Sequence, residues 1–466
     1  MKNIALLFSL LFVFNSCIND DLDFGGGNQN DNFIELVGNL PTQTLRKGGR
    51  YLIKGQVFVR NGDVLTIEPG TVIFGDKASK GTLIVDLGGK IIAQGTPTEP
   101  IVFTSSQRAE SRDRGDWGGL VILGKAPVNQ IDPAIEGITP PIIFGGNVTN
   151  DNSGIFKYVR VEYAGIELTP NNETNSITMG GVGNGTVMEY CQVSYGGDDG
   201  FEWFGGNVNA KYFISLGMWD DCFDIDFGWS GKLQYGLSVR YPSFADQSGS
   251  NIIETDSGPT DNAVPFLTNG VLSNITGIGP ENTSTQNPTT GAWSFPSVNA
   301  NYQHAVDLRR RVALTIANSV FVGMPRGIRM NQKSVYDNYM AGEGALINNI
   351  ISAPRTTYTA GATTFTANDI KNLWEANNVM STSPDLNAYY TSLGLNPNIF
   401  FGLTTTNFYP FNPPFEVTNG LLTTGANFNH PKLQDGFFET TTFRGAFGST
   451  DWTAQWAEFV PNLKAY

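Results

Sequence analysis

A dense group of acidic side chains occupies the middle of the chain. Between positions 198 and 226 the only cationic side chain is Lys211. The segment DDGFEW at 198–203 is echoed by DDCFDI at 220–225, a spacing of 22 residues. Such a period is typical of one turn of a β-coil, so equivalent acids are expected to stack in neighbouring coils. The seven carboxylates are Asp198, Asp199, Glu202, Asp220, Asp221, Asp224 and Asp226.

Stacking would bring like charges to about 4.8 Å, the distance between neighbouring strands. The repulsion can be relieved by a bound cation, by raised pKa values, or by turns in which Asp side chains accept backbone N–H groups. A hard, oxygen-ligated ion such as Ca²⁺ suits clustered carboxylates, and the sequence predicts such a site at all seven acids. The alternatives are acids that cap turns or are solvated, and a catalytic carboxylate pair. The stacked pairs are Asp198 with Asp220, Asp199 with Asp221, and Glu202 with Asp224.

The local pattern at 223–227 sets the direction of these side chains. In the sequence FDIDF, strict alternation predicts that Phe223, Ile225 and Phe227 face the core. The two aspartates between them are then expected to face outward together.

An enzymatic use of the acids would be a Ca²⁺-dependent polysaccharide lyase or a glycoside hydrolase. A lyase needs a cation that acidifies a substrate proton and an arginine or lysine that removes it. A hydrolase depends on the separation of two carboxyl groups, which the sequence does not give. No spacing places the candidate arginines beside the acidic coils, and pairing with acids or solvation is the simpler expectation for them. They are Arg309, Arg310, Arg311, Arg326 and Arg329.

Tryptophans near the acidic coils are a second candidate for ligand contact, because sugar rings stack on large amphipathic side chains. Trp203 shares a face with Phe201 and is expected in the core. Trp219 and Trp229 fall at turns and are predicted to be exposed ligand-binding residues.

Cysteine and histidine offer little further chemistry. Cys191 and Cys222 fall at different phases of the repeat, so both are predicted to be buried thiols without a disulfide. His304 and His430 are the only histidines, which leaves almost no material for a histidine metal site or triad.

Short β-branched runs separated by Gly and Pro position these residues. They predict an all-β fold, a right-handed parallel β-helix with three sheets and about 22 residues per coil. The predicted organisation is an N-terminal cap at 33–63, the β-helix at 64–353, and an irregular C-terminal cap or wrap at 354–466 with a short helix at 366–380.

Two segments carry a family resemblance. IEPGT at 67–71 and AQGTPTEPIVFT at 93–104 resemble the opening coils of parallel β-helices of the pectate-lyase type. The whole pattern, through the acidic coils to the aromatic ending at 443–456, resembles large Bacteroidota surface lipoproteins with β-helices and no established activity. This resemblance implies a fold and a location more than a function.

The N-terminus predicts export and anchoring. Lys2 precedes an apolar run at 4–14 that is too short to span a bilayer, which predicts a signal peptide at 1–16. Cys17 directly after Ser16 resembles the acylated cysteine of bacterial lipoproteins. The Gly- and Asn-rich stretch at 17–32 predicts a flexible tether. Acids soon after Cys17 resemble a surface-export signal, so the predicted location is the cell-surface side of the outer membrane.

The amino-acid composition limits the classes of ligand that the protein is expected to bind. The formal charge is −14, and 15% of residues are charged, which argues against nucleic acid as a ligand. The favoured hypothesis is a non-enzymatic binding or accessory lipoprotein that presents a rigid face to a glycan, a nutrient or an outer-membrane transporter. The alternatives are a polysaccharide lyase or hydrolase on the acidic coils, and a structural envelope or adhesion module.

Overall fold

The chain winds into a parallel solenoid. The computed structural model describes residues 33–169, 172–281, 283–396 and 413–466. Each coil places one strand in each of three parallel sheets, and corresponding strands of successive coils are hydrogen-bonded in register. The fold class predicted from the sequence, an all-β parallel β-helix with three sheets, is confirmed. The predicted signal peptide, Cys17 and tether lie outside the described residues.

The three sheets are built from short strands, with several longer strands that turn a corner between two sheets. The first sheet contains Gln43–Leu45, Val64–Ile67, Lys90–Gln94, Thr315–Ala317 and Ala345–Ile347. The second contains Val72–Gly75, Ile101–Ser105, Val320–Val322, Ile350–Ser352 and Val379–Ser381. The third contains Thr82–Val85, Leu120–Leu123, Ile177–Gly180, Phe201–Phe204, Phe223–Asp226, Ile253–Thr255, His304–Leu308, Arg326–Met330 and Thr356–Ala360. The corner strands are Ile34–Leu40, Arg50–Val59, Gly154–Glu162, Val187–Ser194, Asn209–Leu216, Lys232–Val239 and Val271–Ile278.

A left-handed residue makes the corner between the first and second sheets. Tyr158, Tyr190, Tyr212 and Tyr235 have φ values between 52° and 65° at this position of successive coils. Their rings stack with centroid distances of 4.3 to 5.0 Å. The aromatic stack offsets the cost of a backbone conformation that non-glycine residues rarely adopt.

The interior is filled by inward side chains that repeat from coil to coil. The ring centroids of Phe201 and Phe213 are 4.3 Å apart, and those of Phe201 and Phe223 are 6.0 Å apart. Cys191 and Cys222 are free and buried, which confirms their prediction as unpaired thiols. A single coil could not bury these faces alone, so stacking on the neighbours stabilises each one.

The limits of the solenoid differ from those predicted. Ile34–Leu40 already pairs in parallel with Arg50–Val59, so the parallel strands begin within the segment predicted as the N-terminal cap at 33–63. At the other end, Thr356–Ala360 and Val379–Ser381 continue the third and second sheets beyond the predicted end at 353. In Thr356–Ala360 polar residues alternate with apolar ones, and a helix precedes Val379–Ser381. Both strands therefore lack the long apolar runs of the middle coils.

Coil length also varies. The register partners Phe201, Phe223, Ile253 and Val306 are separated by 22, 30 and 53 residues. A uniform 22-residue period therefore holds only where no loop is inserted. Loops at coil corners lengthen the chain without changing the register, because only the strands need to match their neighbours.

Helices and irregular chain cover the C-terminal part. The helices are Lys333–Met340, Ala367–Glu375 and Leu386–Leu393, with short 3₁₀ turns at Ala109–Ser111, Leu421–Thr423, Pro431–Leu433 and Pro461–Leu463. Thr366 caps Ala367–Glu375 where a helix was predicted, but the chain is back in a strand by Val379. In the described ranges, no helix has the length and apolar character needed to cross a membrane.

The segment 413–466 runs back along the outside of the second sheet. The Gln192 side chain exchanges hydrogen bonds with the backbone of Glu458, at 2.6 and 2.9 Å. The Tyr466 hydroxyl donates to Glu162 Oε1 at 2.7 Å. The C-terminal region therefore lies along the outside of the solenoid.

Candidate functional site

The acidic residues form an outward column on the third sheet. Thr178, Glu202 and Asp224 are register partners on successive strands, as the 22-residue repeat predicted for the last two. Glu254 and Asp307 continue the same column on the next two strands. We call this column, together with the flanking carboxylates, the acidic ladder. Its residues are Glu202, Asp224, Glu254 and Asp307 in the column, and Asp198, Asp199, Asp220, Asp221, Asp226 and Asp256 beside it.

Two groups within the acidic ladder bring carboxylate oxygens close together. One oxygen each from Asp199, Glu202 and Asp224 lie within 4.8 Å of one another. One oxygen each from Asp198, Asp199 and Asp220 form a second group within the same distance. Asp199 belongs to both groups, so the two lie side by side along the coil edge.

Backbone hydrogen bonds relieve part of the crowding. The Asp221 N–H donates to Asp199 Oδ1 at 2.7 Å, and the Asn251 N–H donates to Asp221 Oδ1. Asp226 Oδ1 accepts the N–H of Phe227 at 2.6 Å. The turn-capping role considered from the sequence is thus present for three of the acids. The hydrogen bond from the Asp221 N–H to Asp199 also shows that these two residues lie one above the other in neighbouring coils.

Other oxygens in the ladder have no such partner. Asp220 Oδ1 and Asp224 Oδ1 are buried and accept no hydrogen bond from any described residue. The amide oxygen of Asn175, a buried residue whose side-chain N–H₂ donates to Glu202, is also without a partner. Buried polar atoms are normally hydrogen-bonded or bound to an ion, and these oxygens are free to accept such a contact.

Burial and mutual repulsion change the acidity of the ladder. Burial, followed by repulsion from neighbouring carboxylates, raises the pKa of Asp199, Glu202 and Asp224 well above its usual range. Burial, with repulsion from Asp256, raises the pKa of Asp226 to about 7. The raised pKa favours the protonated form of these acids, so a cation that binds them would compete with protons.

No described side chain neutralises the seven predicted acids by an ion pair. Lys211, the only cationic residue between them in sequence, lies on another sheet and binds Glu439 at 2.7 Å. The buried Arg240 approaches from the interior, but its Nη1 donates to the backbone carbonyl of Asp220 rather than to a carboxylate.

The next coils contain acids that the sequence analysis missed. Glu254 and Asp256 follow Asp224 and Asp226 after an inserted loop, and here arginines compensate them. Arg309 contacts both acids, with its Nη2 2.6 Å from Asp256 Oδ2, and Arg310 lies 3.0 Å from the same oxygen. The alternation IETD at 253–256 repeats FDID at 223–226, a signal that is visible once coil length is allowed to vary.

The remaining candidate arginines are not free bases. Arg329 Nε donates to Asp307 Oδ1 at 2.7 Å, and its Nη2 contacts the other carboxylate oxygen. Arg326 contacts Gln303. Arg311 has a buried Nε without a hydrogen-bond partner among the described residues, outside the acidic ladder. Pairing with acids is thus the role of Arg309, Arg310 and Arg329.

The exposure of the tryptophans near the acidic ladder differs in part from the prediction. Trp203 is in the core as expected, but Trp229 is also fully buried, 5.6 Å from it, so its prediction as an exposed ligand contact is wrong. Phe227 and Gly228 both have positive φ, which breaks the alternation and turns Trp229 inward.

The position of Phe227 also differs from the prediction that it faces the core. Instead of facing the main core, it lies half-buried in a side cluster against Phe204, with ring centroids 5.0 Å apart.

Trp219 remains a candidate for ligand contact. It is partly exposed, and its Nε1 donates to Asp246 Oδ1 at 3.0 Å, which fixes the ring beside Asp220.

Comparison with known proteins places the fold in a family. The chain belongs to the pectate-lyase-like β-helix domains, whose family model matches residues 38–391. No curated protein matches the sequence significantly. Among solved structures it is similar to the catalytic domain of a GH87 alpha-1,3-glucanase in complex with tetrasaccharides, at 11% identity and a TM-score of 0.31. That alignment covers 74% of this chain and 64% of the glucanase chain.

Proposed function

We propose that this protein binds a Ca²⁺-like cation in the acidic ladder and uses that site, on a rigid β-helix face, to bind an extended glycan. The observation that carries the proposal is the group of Asp199, Glu202 and Asp224 oxygens within 4.8 Å, which no described cationic side chain pairs with. Oxygen ligands lie about 2.3 to 2.6 Å from Ca²⁺, so ligands on opposite sides of the ion are about 5 Å apart. The three oxygens fit within one such coordination sphere.

The same spacing disfavours an inverting pair of hydrolytic carboxyl groups. Inverting glycosidases separate their carboxyl groups by about 6.5 to 9.5 Å, to leave room for water. The oxygens of the Asp199 group are closer together than this range. A retaining pair, at about 5 to 5.5 Å, comes nearer to the observed spacing and belongs to the second candidate function below.

Calcium titration of the purified chain tests the cation site. We expect Ca²⁺ to raise the melting temperature and to bind with a stoichiometry of about one ion per chain, because one coordination sphere is formed. Asp224→Asn should weaken binding strongly. Glu68→Gln, at an exposed acid that pairs with Arg46, is the matched control and should leave binding unchanged. Equal loss in both variants would show non-specific charge screening.

The glycan part of the proposal rests on Trp219 beside the ladder. A glycan array probed with and without Ca²⁺ should show calcium-dependent binding, and Trp219→Ala should reduce it. Calcium binding without glycan binding under any condition would instead favour a structural envelope or adhesion module.

A second candidate function is a polysaccharide lyase or hydrolase. It is supported by the match to the pectate-lyase-like β-helix domains, and Arg309, which contacts Glu254, the register partner of Asp224, is the basic side chain to test. Incubation with acidic and neutral polysaccharides, with and without Ca²⁺, would reveal unsaturated products by ultraviolet absorbance or new reducing ends. Activity that Arg309→Lys abolishes at unchanged melting temperature would replace the binding proposal.

We further propose that Cys17 anchors the protein by a lipid to the outer membrane, where its partner is an outer-membrane transporter. The sequence around Cys17 supports this location. Metabolic labelling with a fatty acid should mark the wild type but not Cys17→Ser. Digestion of intact cells with protease should remove the protein if it faces the surface.

A further inference from the structure

Most tryptophans of this chain serve its own packing. Trp219 and Trp452 are partly exposed, but the Nε1 of each donates a hydrogen bond within the protein, to an aspartate oxygen and to a backbone carbonyl. Trp293 is the exception, and it lies in the long insertion at 279–303. Five of the eight tryptophans are fully buried, namely Trp117, Trp203, Trp229, Trp374 and Trp456.

Neither packing nor hydrogen bonding explains Trp293. Its side chain is partly exposed and belongs to none of the hydrophobic clusters that the described residues form. Its Nε1–H is not buried, and it has no hydrogen-bond partner in the described part of the chain. Part of the ring and the N–H donor are therefore accessible to a ligand.

A two-stranded hairpin places Trp293 at the wall of a cavity. Thr285–Gln286 pairs antiparallel with Trp293–Ser294, and Gln286 is the direct partner of Trp293. Directly paired residues share a face, so these two side chains lie on one face of the hairpin and those of Thr285 and Ser294 on the other. The Trp293 face and helix Leu386–Leu393 line a cavity of about 730 Å³. Its lining includes Gln286, Trp293, Asp385, Asn387, Thr391 and Ser392.

Hydrogen bonds fix the helix against the base of the hairpin. The Ser284 hydroxyl accepts the Leu386 N–H at 2.9 Å, and the Asn387 side chain donates to the Ser284 carbonyl at 3.3 Å. Asn387 Oδ1 also accepts the hydroxyl of Thr283 at 3.2 Å. The cavity is therefore formed before a ligand arrives, which lowers the entropic cost of binding.

Two side chains of the cavity have accessible acceptor oxygens. Asp385 Oδ1 accepts the N–H of Ala388 at 2.9 Å, whereas Asp385 Oδ2 is not buried and has no partner among the described residues. Gln286 is exposed, and its Nε2 donates to the Gly291 carbonyl at 3.0 Å, which leaves its Oε1 to accept. Both oxygens can receive hydrogen bonds from hydroxyl groups of a ligand.

This combination of groups favours a neutral sugar over other ligands. An anion would need a cationic partner, and no lysine or arginine is among the described residues that line the cavity. A quaternary ammonium group is held by a cage of several aromatic rings, and only the Trp293 ring is available. A sugar needs one aromatic surface for its apolar C–H face and acceptors for its hydroxyl groups.

We propose that this cavity is a second carbohydrate site, which binds a neutral oligosaccharide without calcium. One sugar ring packs against Trp293, and its hydroxyl groups donate to Asp385 Oδ2 and Gln286 Oε1. The cavity volume lies within the range of about 300 to 1,000 Å³ that is usual for small-ligand sites. The site shares no residue with the acidic ladder and does not depend on a cation there.

Native electrophoresis of the purified full chain tests the proposal, in gels that each contain EDTA and one neutral polysaccharide. The probes are dextran, glycogen, laminarin, arabinoxylan and galactomannan. We expect at least one of them to retard the wild type, and short oligosaccharides of the same polymer to release it. If none retards the protein, or if choline releases it at lower concentration than the oligosaccharide does, the assignment is wrong.

Three variants separate binding from folding. Trp293→Ala should raise the dissociation constant about tenfold or more, with little change in melting temperature, because the ring lies outside the core. Asp385→Asn keeps an oxygen that can cap the helix but removes the charged acceptor, so it should weaken binding less. Ser294→Ala, on the opposite face of the same hairpin, is the matched control and should bind as the wild type does. Unchanged binding in Trp293→Ala, or an equal loss in Ser294→Ala, would overturn the proposal.

Discussion

The two halves of the acidic ladder occupy equivalent positions on the third sheet, but they differ in what compensates the charges of their carboxylates. The acid-only coils, residues 198–226, stack carboxylates without an ion pair to a described side chain. In the ion-paired coils, residues 253–329, Arg309, Arg310 and Arg329 contact Glu254, Asp256 and Asp307. The backbone register is the same in both halves, so the difference lies in the side chains.

The comparison indicates where a ligand is needed. Two unit charges 4.8 Å apart repel by about 3.5 kcal/mol at an effective dielectric constant of 20. The arginines of the ion-paired coils offset part of this repulsion, although burial still raises the pKa of Glu254 to about 8. The acid-only coils rely on protons and a few backbone N–H groups, which leaves Asp220 Oδ1 and Asp224 Oδ1 without partners. A divalent cation would supply there what the arginines supply in the other half.

The largest expected effect comes from breaking the ion-paired half. Arg309→Gln leaves the buried Glu254 and Asp256 with only Arg310, so the free energy of unfolding should fall by about 3 to 5 kcal/mol. Urea denaturation measures it. Arg46→Gln, at an exposed pair, is the control and should cost less than about 1 kcal/mol. A similar small cost for Arg309→Gln would mean that the two halves do not differ as described.

Removing a charge from the acid-only half should have the opposite sign. Asp224→Asn relieves repulsion from Glu202 and Glu254, so without cation the free energy of unfolding should rise by about 1 kcal/mol. The stabilisation by Ca²⁺ should disappear in the same variant. Denaturation with and without Ca²⁺ measures both. Destabilisation of the cation-free variant would contradict the picture of uncompensated charge.

The pH dependence of stability should differ with and without cation. The folded-state pKa of Asp226 is raised to about 7, above its value of about 3.9 in an unfolded chain. The stability that goes with its bound proton is therefore full below about pH 4 and is lost as the pH rises through about 7. Ca²⁺ should oppose this loss, because it binds the deprotonated acids. Urea midpoints from pH 5 to 8 test this; a cation-free stability that rises over this range would be contrary to it.

The smallest expected effect separates the two arginines of the paired half. Arg310 is 33% exposed in its side chain and makes one contact with Asp256, which Arg309 also contacts. Arg310→Gln should therefore cost no more than about 1 kcal/mol. The measurement is the same urea titration. A cost equal to that of Arg309→Gln would show that the two cations act as one unit.

The sequence predicted the parts of this picture that depend on local pattern. Alternation and the 22-residue echo predicted the three-sheet fold and the stacking of Glu202 on Asp224. They failed where tertiary structure overrides local pattern. Positive φ at Phe227 and Gly228 buries Trp229, and inserted loops separate Glu254 and Arg309 in sequence from the acids they adjoin in space.

Anomalous scattering from crystals grown with Ca²⁺, or with a lanthanide in its place, would show directly whether the acid-only coils bind a cation. We predict one strong peak among the oxygens of Asp199, Glu202 and Asp224, and none beside Glu254 and Asp256. The absence of a peak in the acid-only coils, or a peak in the ion-paired coils, would contradict it.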